Sequence, residues 1–371
     1  MKKLPAVLIV WIMLAGCSAE VPVTDFGDLQ IEGSMELKYA TEFSADYLSD
    51  GCSMVSIAGG ERFLLVPEGQ EPPANIDRDI TVLCQPTVNI YLAATSAMCL
   101  FDALDALGHI TMSGTEAEGW YIENARAAMD SGAILYAGKY SAPDYEMIMA
   151  KKCGLAVEST MISHAPDVKE KLEALGVPVL VERSSYEPHP LGRTEWIKLY
   201  GLLVGKSELA TSLFDEQTAY LDGIPVVNTT KTVAFFYISS SGNAVVRKSG
   251  DYVTKMIELA GGQYVFTDLG DESATGSVNL NMERFYAEAK DADIIIYNSS
   301  IDGEIHTIAQ LLGKSHLLSD FKAIKKGNVW CTGKNLFQET TGFGLMISDI
   351  HRIIADEPDA SAELNYLNRL R

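Results

Sequence analysis

The chain has 371 residues, of which 47% are hydrophobic and 21% are charged, so it is able to bury a substantial core and is not a disordered polypeptide. A chain of this length allows two or three domains. The formal net charge is −21, and no basic run is present that could neutralise phosphate groups. We therefore exclude nucleic acid as the expected partner.

The chain begins with an apolar segment over residues 4–15, preceded by two lysines and too short to span a bilayer. The segment ends in Leu14-Ala15-Gly16-Cys17, which resembles a bacterial lipobox, in which the thiol is acylated. The alternative is an ordinary signal peptide with an incidental cysteine. We expect residues 1–16 to be a lipoprotein signal peptide and Cys17 to carry the lipid. That lipid would anchor the protein to the extracytoplasmic face of the cell membrane.

The next part of the chain shows three successive patterns. Residues 17–34 are polar and aperiodic, and we expect them to form a tether. Residues 35–86 read as short strands, beginning with the alternation Met35-Glu36-Leu37-Lys38-Tyr39, and predict a β-rich extension packed on the unit that follows. From residue 87 to residue 192, short apolar strands alternate with helical patterns, which is typical of a parallel sheet with helices on its faces.

Apolar residues between positions 194 and 222 recur with the period of a helix, so we predict one long connecting helix over residues 193–223. Within it, Gly201-Leu202-Leu203-Val204-Gly205-Lys206-Ser207 resembles a P-loop, but the motif is one residue short and a helix offers no phosphate-binding loop. A second α/β series occupies residues 224–371 and closes with a predicted helix over 343–354. The predicted fold class is α/β, with two Rossmann-like lobes joined by a single long rigid α-helix.

Sequence signatures of enzymes and of metal sites are missing. No GxGxxG or GxSxG motif is present, so we assign no catalytic residue and no cofactor. The cysteines that follow Cys17 are odd in number and lack CxxC or Cys/His ligand spacing, so no protein-held metal is expected. A bridge between Cys52 and Cys84 stays an open alternative to free thiols.

Polar loops follow most of the predicted strands. Ligands of open α/β sheets bind at the carboxyl ends of the strands, so these loops are the candidate ligand-binding positions. Cations stand out in a chain this acidic, and several converging in a cleft would suit an anionic ligand, although each could instead pair with a surface carboxylate. The candidate ligand-binding residues are Thr95, Ser96, Tyr140, Ser159, Thr160, Arg183, Ser184, Tyr186, Tyr237, Arg247, Lys334 and Asn335.

Two glutamates occupy matching positions in the two α/β series. Glu146 and Glu283 each fall in the first turn of a predicted helix that leads into a buried strand. A carboxylate at such a position stabilises the helix dipole by about 0.3–1 kcal/mol, which would explain either residue alone. Their repetition in both series favours a shared function.

Several blocks resemble one known family. They are Tyr140-Ser141-Ala142-Pro143-Asp144-Tyr145-Glu146-Met147-Ile148, Leu175-Gly176-Val177-Pro178-Val179 and Val329-Trp330. With the lipobox, the two lobes and the connecting helix, they resemble the periplasmic-binding-protein superfamily. The resemblance is to the helical-backbone class that serves ABC importers of iron-siderophores, haem and cobalamin, and it covers about residues 87–355. Lys152-Cys153-Gly154-Leu155-Ala156 departs from the family's Lys-Pro-Asp-Leu-Val.

The resemblance implies a lipid-anchored solute-binding protein, not an enzyme. It would be a monomer that captures an iron complex (siderophore or haem) or cobalamin between its lobes and delivers it to an ABC importer. Glu146 and Glu283 would dock onto the two subunits of the permease dimer. The alternatives are a surface-attached bilobal enzyme acting on a metal complex, and a ligand sensor on the same scaffold.

Overall fold

The computed structural model describes residues 24–225, 229–271, 274–301, 303–334, 336–356 and 364–371. The predicted lipidation site Cys17 and the candidate ligand residue Asn335 lie outside these ranges. Three sheets organise the described residues, one in the N-terminal extension and one in each α/β lobe. In this part of the chain no helix is both long enough and apolar enough to cross a membrane.

The N-terminal extension forms a five-stranded sheet with the strands in chain order. Its neighbours pair antiparallel, except for the parallel pair β4–β5. The strands are β1 Ile31–Ser34, β2 Phe43–Leu48, β3 Ser53–Ile57, β4 Arg62–Val66 and β5 Ile80–Cys84. The strand predicted at residues 35–39 is wrong, because the backbone N–H groups of Lys38 and Tyr39 donate to the Glu195 side chain of the connector described below instead of to another strand.

The first lobe is a parallel sheet in the order β10-β9-β6-β7-β8, as the alternation of strands and helices predicted. Short helices connect the strands and place apolar side chains on both faces of the sheet. The elements are β6 Ile90–Leu92, α1 Met98–Ala103, β7 Ile110–Ser113, α2 Glu123–Asp130, β8 Leu135–Tyr136, α3 Tyr145–Ala150, β9 Leu155–Ser159, α4 Pro166–Ala174 and β10 Val179–Glu182.

The connector between the lobes corrects the prediction of a single long helix. Two helices, α5 Pro190–Leu203 and α6 Ser207–Asp222, replace it. Gly205 lies in the turn between them with φ of +72°, a left-handed conformation that ends α5. The two helices pack side by side so closely that a Cβ atom at Gly201 would approach the Cβ of Ala210 to 2.5 Å. Apolar residues do recur with helical spacing here, but the same spacing continues from α5 into α6, so it gives no sign of the break between them.

We expect Gly205→Ala to lower the free energy of unfolding by about 1–2 kcal/mol, because an L side chain strains the left-handed conformation. Gly313→Ala is the matched control, since Gly313 is helical and a Cβ there would meet open space. The control should be neutral or stabilise by up to about 1 kcal/mol. Urea denaturation midpoints of the two variants measure the difference, and equal midpoints would contradict the role of Gly205 as a helix terminator.

The second lobe has a mixed sheet in the order β14-β12-β11-β15-β16-β17, with β13 also paired to β11. Strands β11, β15 and β16 are parallel, whereas β12 and β17 run against their neighbours, so the two lobes repeat each other only in part. The elements are β11 Thr232–Ile238, β12 Ala244–Arg247, α7 Tyr252–Leu259, β13 Gln263–Tyr264, β14 Ser277–Leu280, α8 Met282–Ala289, β15 Ile294–Tyr297, α9 Ile308–Lys314, α10 Lys322–Lys326, β16 Val329–Thr332, α11 Phe343–Ile354 and β17 Leu367–Arg369.

Two buried carboxylates attach the N-terminal extension to the connector. Glu195 of α5 accepts backbone N–H groups from three consecutive residues, 38–40, at 2.7–3.0 Å, and pairs with Lys198 at 2.8 Å. Glu187, which precedes α5, accepts the backbone N–H groups of the next two residues, 41–42. The extension and α5 are therefore joined by charge-assisted hydrogen bonds over a continuous segment.

Candidate ligand-binding cleft

The two lobes touch through the segment that follows β16. Gln338 Oε1 accepts the backbone N–H of Tyr121 at 2.8 Å, and its Nε2 donates to the carbonyl oxygen of Gly119 at 2.8 Å. The hydroxyl of Thr340 donates to the carbonyl oxygen of Ser96, and the Thr340 carbonyl accepts from the hydroxyl of Thr194 at 2.6 Å. These contacts join the carboxyl-edge loops of the first lobe to the second lobe.

A cavity of about 320 Å³ opens between the lobes beside the connector. Pro188 and His189 line it from the first lobe, and Lys255 and Glu258 from α7 of the second. The His189 ring stacks on Tyr39 at 4.1 Å, and its Nδ1 accepts a backbone N–H at 3.1 Å. Burial, followed by the charge of Lys255, lowers the His189 pKa to about 4, so this ring is neutral near pH 7.

Two arginines flank one tyrosine at the junction of the connector and the second lobe. The Arg193 guanidinium lies 3.7 Å from the ring centroid of Tyr252, and Arg247 lies 5.8 Å from the same centroid. Arg193 donates to a backbone carbonyl at 2.6 Å, while its Nε is buried without a hydrogen-bond partner. Arg247 approaches Asp251 at 3.7 Å and the Phe337 ring at 5.4 Å. Planar guanidinium groups suit an anionic partner, and neither arginine is among the residues that line the cavity beside the connector.

Arg193 stands out in the sequence as a cation in an acidic chain, but neither it nor Tyr252 is among the candidate ligand-binding residues. Both lie within predicted helices rather than in the loops that the strand-end rule selects. The sequence signal for Arg193 was its positive charge in an acidic chain, and in the structure it is the residue of α5 outside the buried set. Arg247, which was predicted, occupies the same cluster.

Two of the predicted serines, Ser96 and Ser184, form hydrogen bonds to the buried carboxylate of Glu182. Ser96 Oγ donates to Glu182 at 2.7 Å, and the backbone N–H of Ser184 donates to the other carboxylate oxygen at 3.0 Å. Burial raises the pKa of Glu182, and the hydrogen bonds from the two serines oppose that change. Thr95, next to this cluster, is exposed.

Three other candidates gather in a separate place, which we call the lateral groove. Thr160, Arg183 and Tyr186 line it together with Gly59 and Glu61 of the N-terminal sheet. The remaining described candidates are dispersed: Lys334 is exposed, whereas Tyr140, Ser159 and Tyr237 are half-buried. The structure therefore places some predicted ligand residues in the inter-lobe cluster, the serine cluster and the lateral groove, and leaves the others apart from all three.

Glu158, at the end of β9, was not predicted and is the most unusual acid of the first lobe. Its side chain is fully buried, and neither carboxylate oxygen has a hydrogen-bond partner. Its strand neighbour across the pair with β10 is Val181. Burial raises the pKa of Glu158 to about 8, so the folded protein holds this carboxyl group protonated near pH 7.

This pKa predicts a pH dependence of stability with a definite sign. Between pH 4.5 and about 8 the unfolded chain releases the Glu158 proton and the folded chain retains it, so the free energy of unfolding falls as pH rises. Glu158→Gln should remove that loss, and its melting temperature should exceed that of the wild type at pH 8 and approach it at pH 5. Glu71→Gln, an exposed change, is the control. If the difference in melting temperature between Glu158→Gln and the wild type were the same at pH 5 and pH 8, the raised pKa would be contradicted. Titration of His189 affects both proteins equally and cancels in this difference.

Glu146 and Glu283 lie in the first turns of α3 and α8, as predicted, and both side chains are exposed. Each helix is capped by a side chain, Asp144 for α3 and Asn281 for α8. Helix α3 follows a strand of the parallel sheet, and α8 follows β14, which runs in the direction of β11. Both glutamates therefore lie at the carboxyl edges of their lobes.

Two α/β lobes that meet at their carboxyl edges define a bilobal binding protein. A family model described as periplasmic binding protein matches residues 98–336. The chain belongs to the periplasmic binding protein family, whose members are extracytoplasmic solute-binding proteins that work with ABC importers.

Relatives of the chain are named as lipoproteins, and solved structures share its fold. The chain is 25% identical to an uncharacterized lipoprotein of Methanocaldococcus jannaschii over 94% of this chain and 91% of the relative. A second uncharacterized lipoprotein of that organism is 27% identical over 79% of this chain and 76% of the relative. The fold is similar to that of the periplasmic heme-binding protein HutB of Vibrio cholerae, with a TM-score of 0.58, 15% identity and coverage of 71% and 98%. A periplasmic heme-binding protein from Pseudomonas aeruginosa gives a TM-score of 0.57 at 14% identity, with coverage of 76% and 98%.

Proposed function

We propose that this protein captures an iron complex, either a siderophore or haem, or cobalamin, between its lobes and delivers it to an ABC importer from a lipid anchor at Cys17. The observation that carries the ligand class is the pair Arg193 and Arg247 around Tyr252 at the inter-lobe junction. Guanidinium forks pair with carboxylates and other anionic groups, which many such complexes carry at their periphery.

Exposed apolar side chains on the carboxyl-edge loops support a large, partly apolar ligand. Tyr121 and Met161 are exposed on the loops of the first lobe, and Ile301 is exposed on the loop after β15. Exposed large apolar side chains grouped on one edge are typical of an interaction surface. A small polar solute such as a sugar would gain little from them, whereas a macrocycle or an aryl-bearing siderophore would bury them.

The N-terminal sequence supports the anchor, and membership of the family supports delivery to an importer. The small residues before Cys17 support lipidation, as do the two relatives named as lipoproteins. Mass spectrometry of the membrane-extracted protein would show a diacylglycerol-modified cysteine at the new N-terminus. A mature N-terminus elsewhere would overturn the anchor without affecting the ligand.

The ligand is tested by the absorbance of protein purified from its native host. A Soret band indicates haem, a broad visible charge-transfer band indicates a ferric siderophore, and corrin bands indicate cobalamin. With the ligand identified, Arg247→Gln should weaken its binding by about tenfold or more, because a charge-assisted hydrogen bond is lost. Arg62→Gln, which removes an exposed arginine paired with Asp79, is the matched control. Equal affinity of both variants would contradict the inter-lobe assignment.

A further inference from the structure

Two residues of the second lobe, Gln338 and Thr340, contact the first lobe at different places. Both belong to the segment after β16, which contains two single-turn helices over residues 336–338 and 340–342. Thr340 bonds to Thr194 of α5 and to the carbonyl oxygen of Ser96, so its contact lies beside the connector. Gln338 bonds to residues 119–121, in the loop after β7, and two strands separate β7 from β10, the strand that precedes the connector. The Gln338 contact therefore joins the lobes away from the connector.

The side-chain amide of Gln338 pairs with two backbone groups at once. Its Oε1 accepts the N–H of Tyr121 and its Nε2 donates to the carbonyl oxygen of Gly119, both at 2.8 Å. Trp120, between these two residues, has an extended backbone with φ of −95° and ψ of 129°. A peptide group of a parallel strand pairs with a neighbouring strand through the same two positions. A two-point contact of this kind fixes the orientation of the lobes as well as their distance.

Each end of the contact is held firmly by its own lobe. Trp120 is buried, and its Nε1 donates to Ser113 Oγ at the end of β7, which fixes the loop to the first lobe. Gln338 is 9% exposed, and Leu336 on the same turn is buried in the core. Water has little access to a contact this buried, so its donors and acceptors are left unsatisfied until the lobes have moved apart. A small displacement is therefore unfavourable, and the contact is either made or broken.

The connector does not by itself fix the separation of the lobes at this place. It consists of two helices that break at Gly205 and is not one rigid rod. Its second helix, α6, is attached to the second lobe, where the backbone N–H of Leu345 donates to Gln217 Oε1 at 3.3 Å. A rotation of one lobe about the connector displaces distant groups more than near ones. Of the two contacts, the one at Gln338 therefore resists such a rotation with the longer lever arm.

We propose that Gln338 is a latch between the lobes. Its two hydrogen bonds hold residues 119–121 against the second lobe, and the lobes separate there only when both bonds break. Thr340, beside the connector, keeps its contacts and lies near the pivot of this movement. Separation at the latch widens access to the carboxyl-edge loops of the first lobe. This inference rests on the two-lobed fold and not on the ligand or the importer proposed above.

The distance between two spin labels, measured by pulsed electron paramagnetic resonance, tests the latch. Ala127→Cys on α2 and Ala287→Cys on α8 place one label on each lobe at exposed positions. Cys17, Cys84 and Cys153 are changed to serine in this full-length chain, since the remaining cysteines are buried. Gln338→Ala should raise the population with separated lobes about tenfold, because both hydrogen bonds are lost. The same distance distribution with and without Gln338→Ala would overturn the proposal.

Three further variants separate the latch from a general loss of structure, which melting temperatures would reveal. Gln338→Glu preserves the shape but sets a carboxylate oxygen against the Gly119 carbonyl, so it should separate the lobes as well, and it decides the question if Gln338→Ala does not fold. Gln263→Ala, at an exposed glutamine of the same lobe, is the matched control and should leave the distances unchanged. Thr340→Val removes the hydroxyl bond to Ser96 beside the connector. Separation as large in Thr340→Val as in Gln338→Ala would contradict the assignment of the latch to Gln338.

Discussion

Replacement of Glu195 by alanine should destabilise the protein by about 3–5 kcal/mol, the range observed when one partner of a buried ion pair is removed. The side chain is fully buried, and it is the acceptor for the backbone N–H groups of residues 38–40 as well as for Lys198. Without it, those N–H groups lose their acceptor, and Lys198 keeps only the carbonyl oxygen of Glu36. Urea denaturation measures the loss.

Two further variants show whether the backbone contacts or the ion pair carry this effect. Glu216→Ala removes an exposed acid from α6 and should change the free energy of unfolding by less than about 0.5 kcal/mol. Glu195→Ala combined with Lys198→Met removes both charges but leaves the N–H groups of residues 38–40 unpaired. That double variant should stay destabilised. Recovery to wild-type stability would mean that the ion pair alone matters and that the N-terminal extension is not held through Glu195.

Charge reversal at both Glu146 and Glu283 should reduce uptake through the importer about tenfold or more, with a smaller loss for either change alone. Paired carboxylates that meet basic pockets set the orientation and rate of association, and a like charge in their place costs several kcal/mol. Both side chains are exposed, so ligand affinity and melting temperature should stay close to those of the wild type. Uptake of the identified ligand by the native host, carrying Glu146→Arg and Glu283→Arg, is the measurement.

Glu32→Arg, an equal change of charge on the exposed edge strand of the N-terminal sheet, is the control for a general effect of charge. Uptake at the wild-type rate in the double variant would leave both glutamates with a helix-dipole role only. Reduced uptake together with reduced ligand affinity would instead indicate that the variants disturb the cleft. The docking role requires that uptake falls while ligand affinity stays unchanged.

The sequence was most informative where the interactions are local. Alternating strands and helices predicted the parallel sheet of the first lobe, and the helix predicted over 343–354 has the bounds of α11. Helix-start positions depend on the few residues around a cap, which is why the first-turn placement of Glu146 and Glu283 was also predictable. Periodicity did not predict the break at Gly205. The apolar stripe continues through the left-handed turn, because both flanking helices face the same core.

The grouping of the ligand candidates depended on contacts between distant parts of the chain. Arg183 pairs with Glu42, 141 positions away, and faces Glu61 rather than the inter-lobe cleft. The strand-end rule predicts which edge of a sheet a loop occupies, but it does not predict which other unit covers that edge. Here the N-terminal sheet covers it, and three predicted ligand residues became part of the lateral groove.

The sequence by itself determined the α/β class, the order of the lobes and the helix-start glutamates, because each follows from a period of a few residues or from a local cap. Only the tertiary structure revealed the break at Gly205, the hydrogen bonds from the backbone of residues 38–42 to Glu195 and Glu187, and the contact of the Arg193 guanidinium with the Tyr252 ring. The hydrogen bonds and the ring contact join elements that the chain separates by tens of residues or more, and the break at Gly205 lets α5 and α6 pack on each other, so all of them exist only once the sheets and helices have packed together.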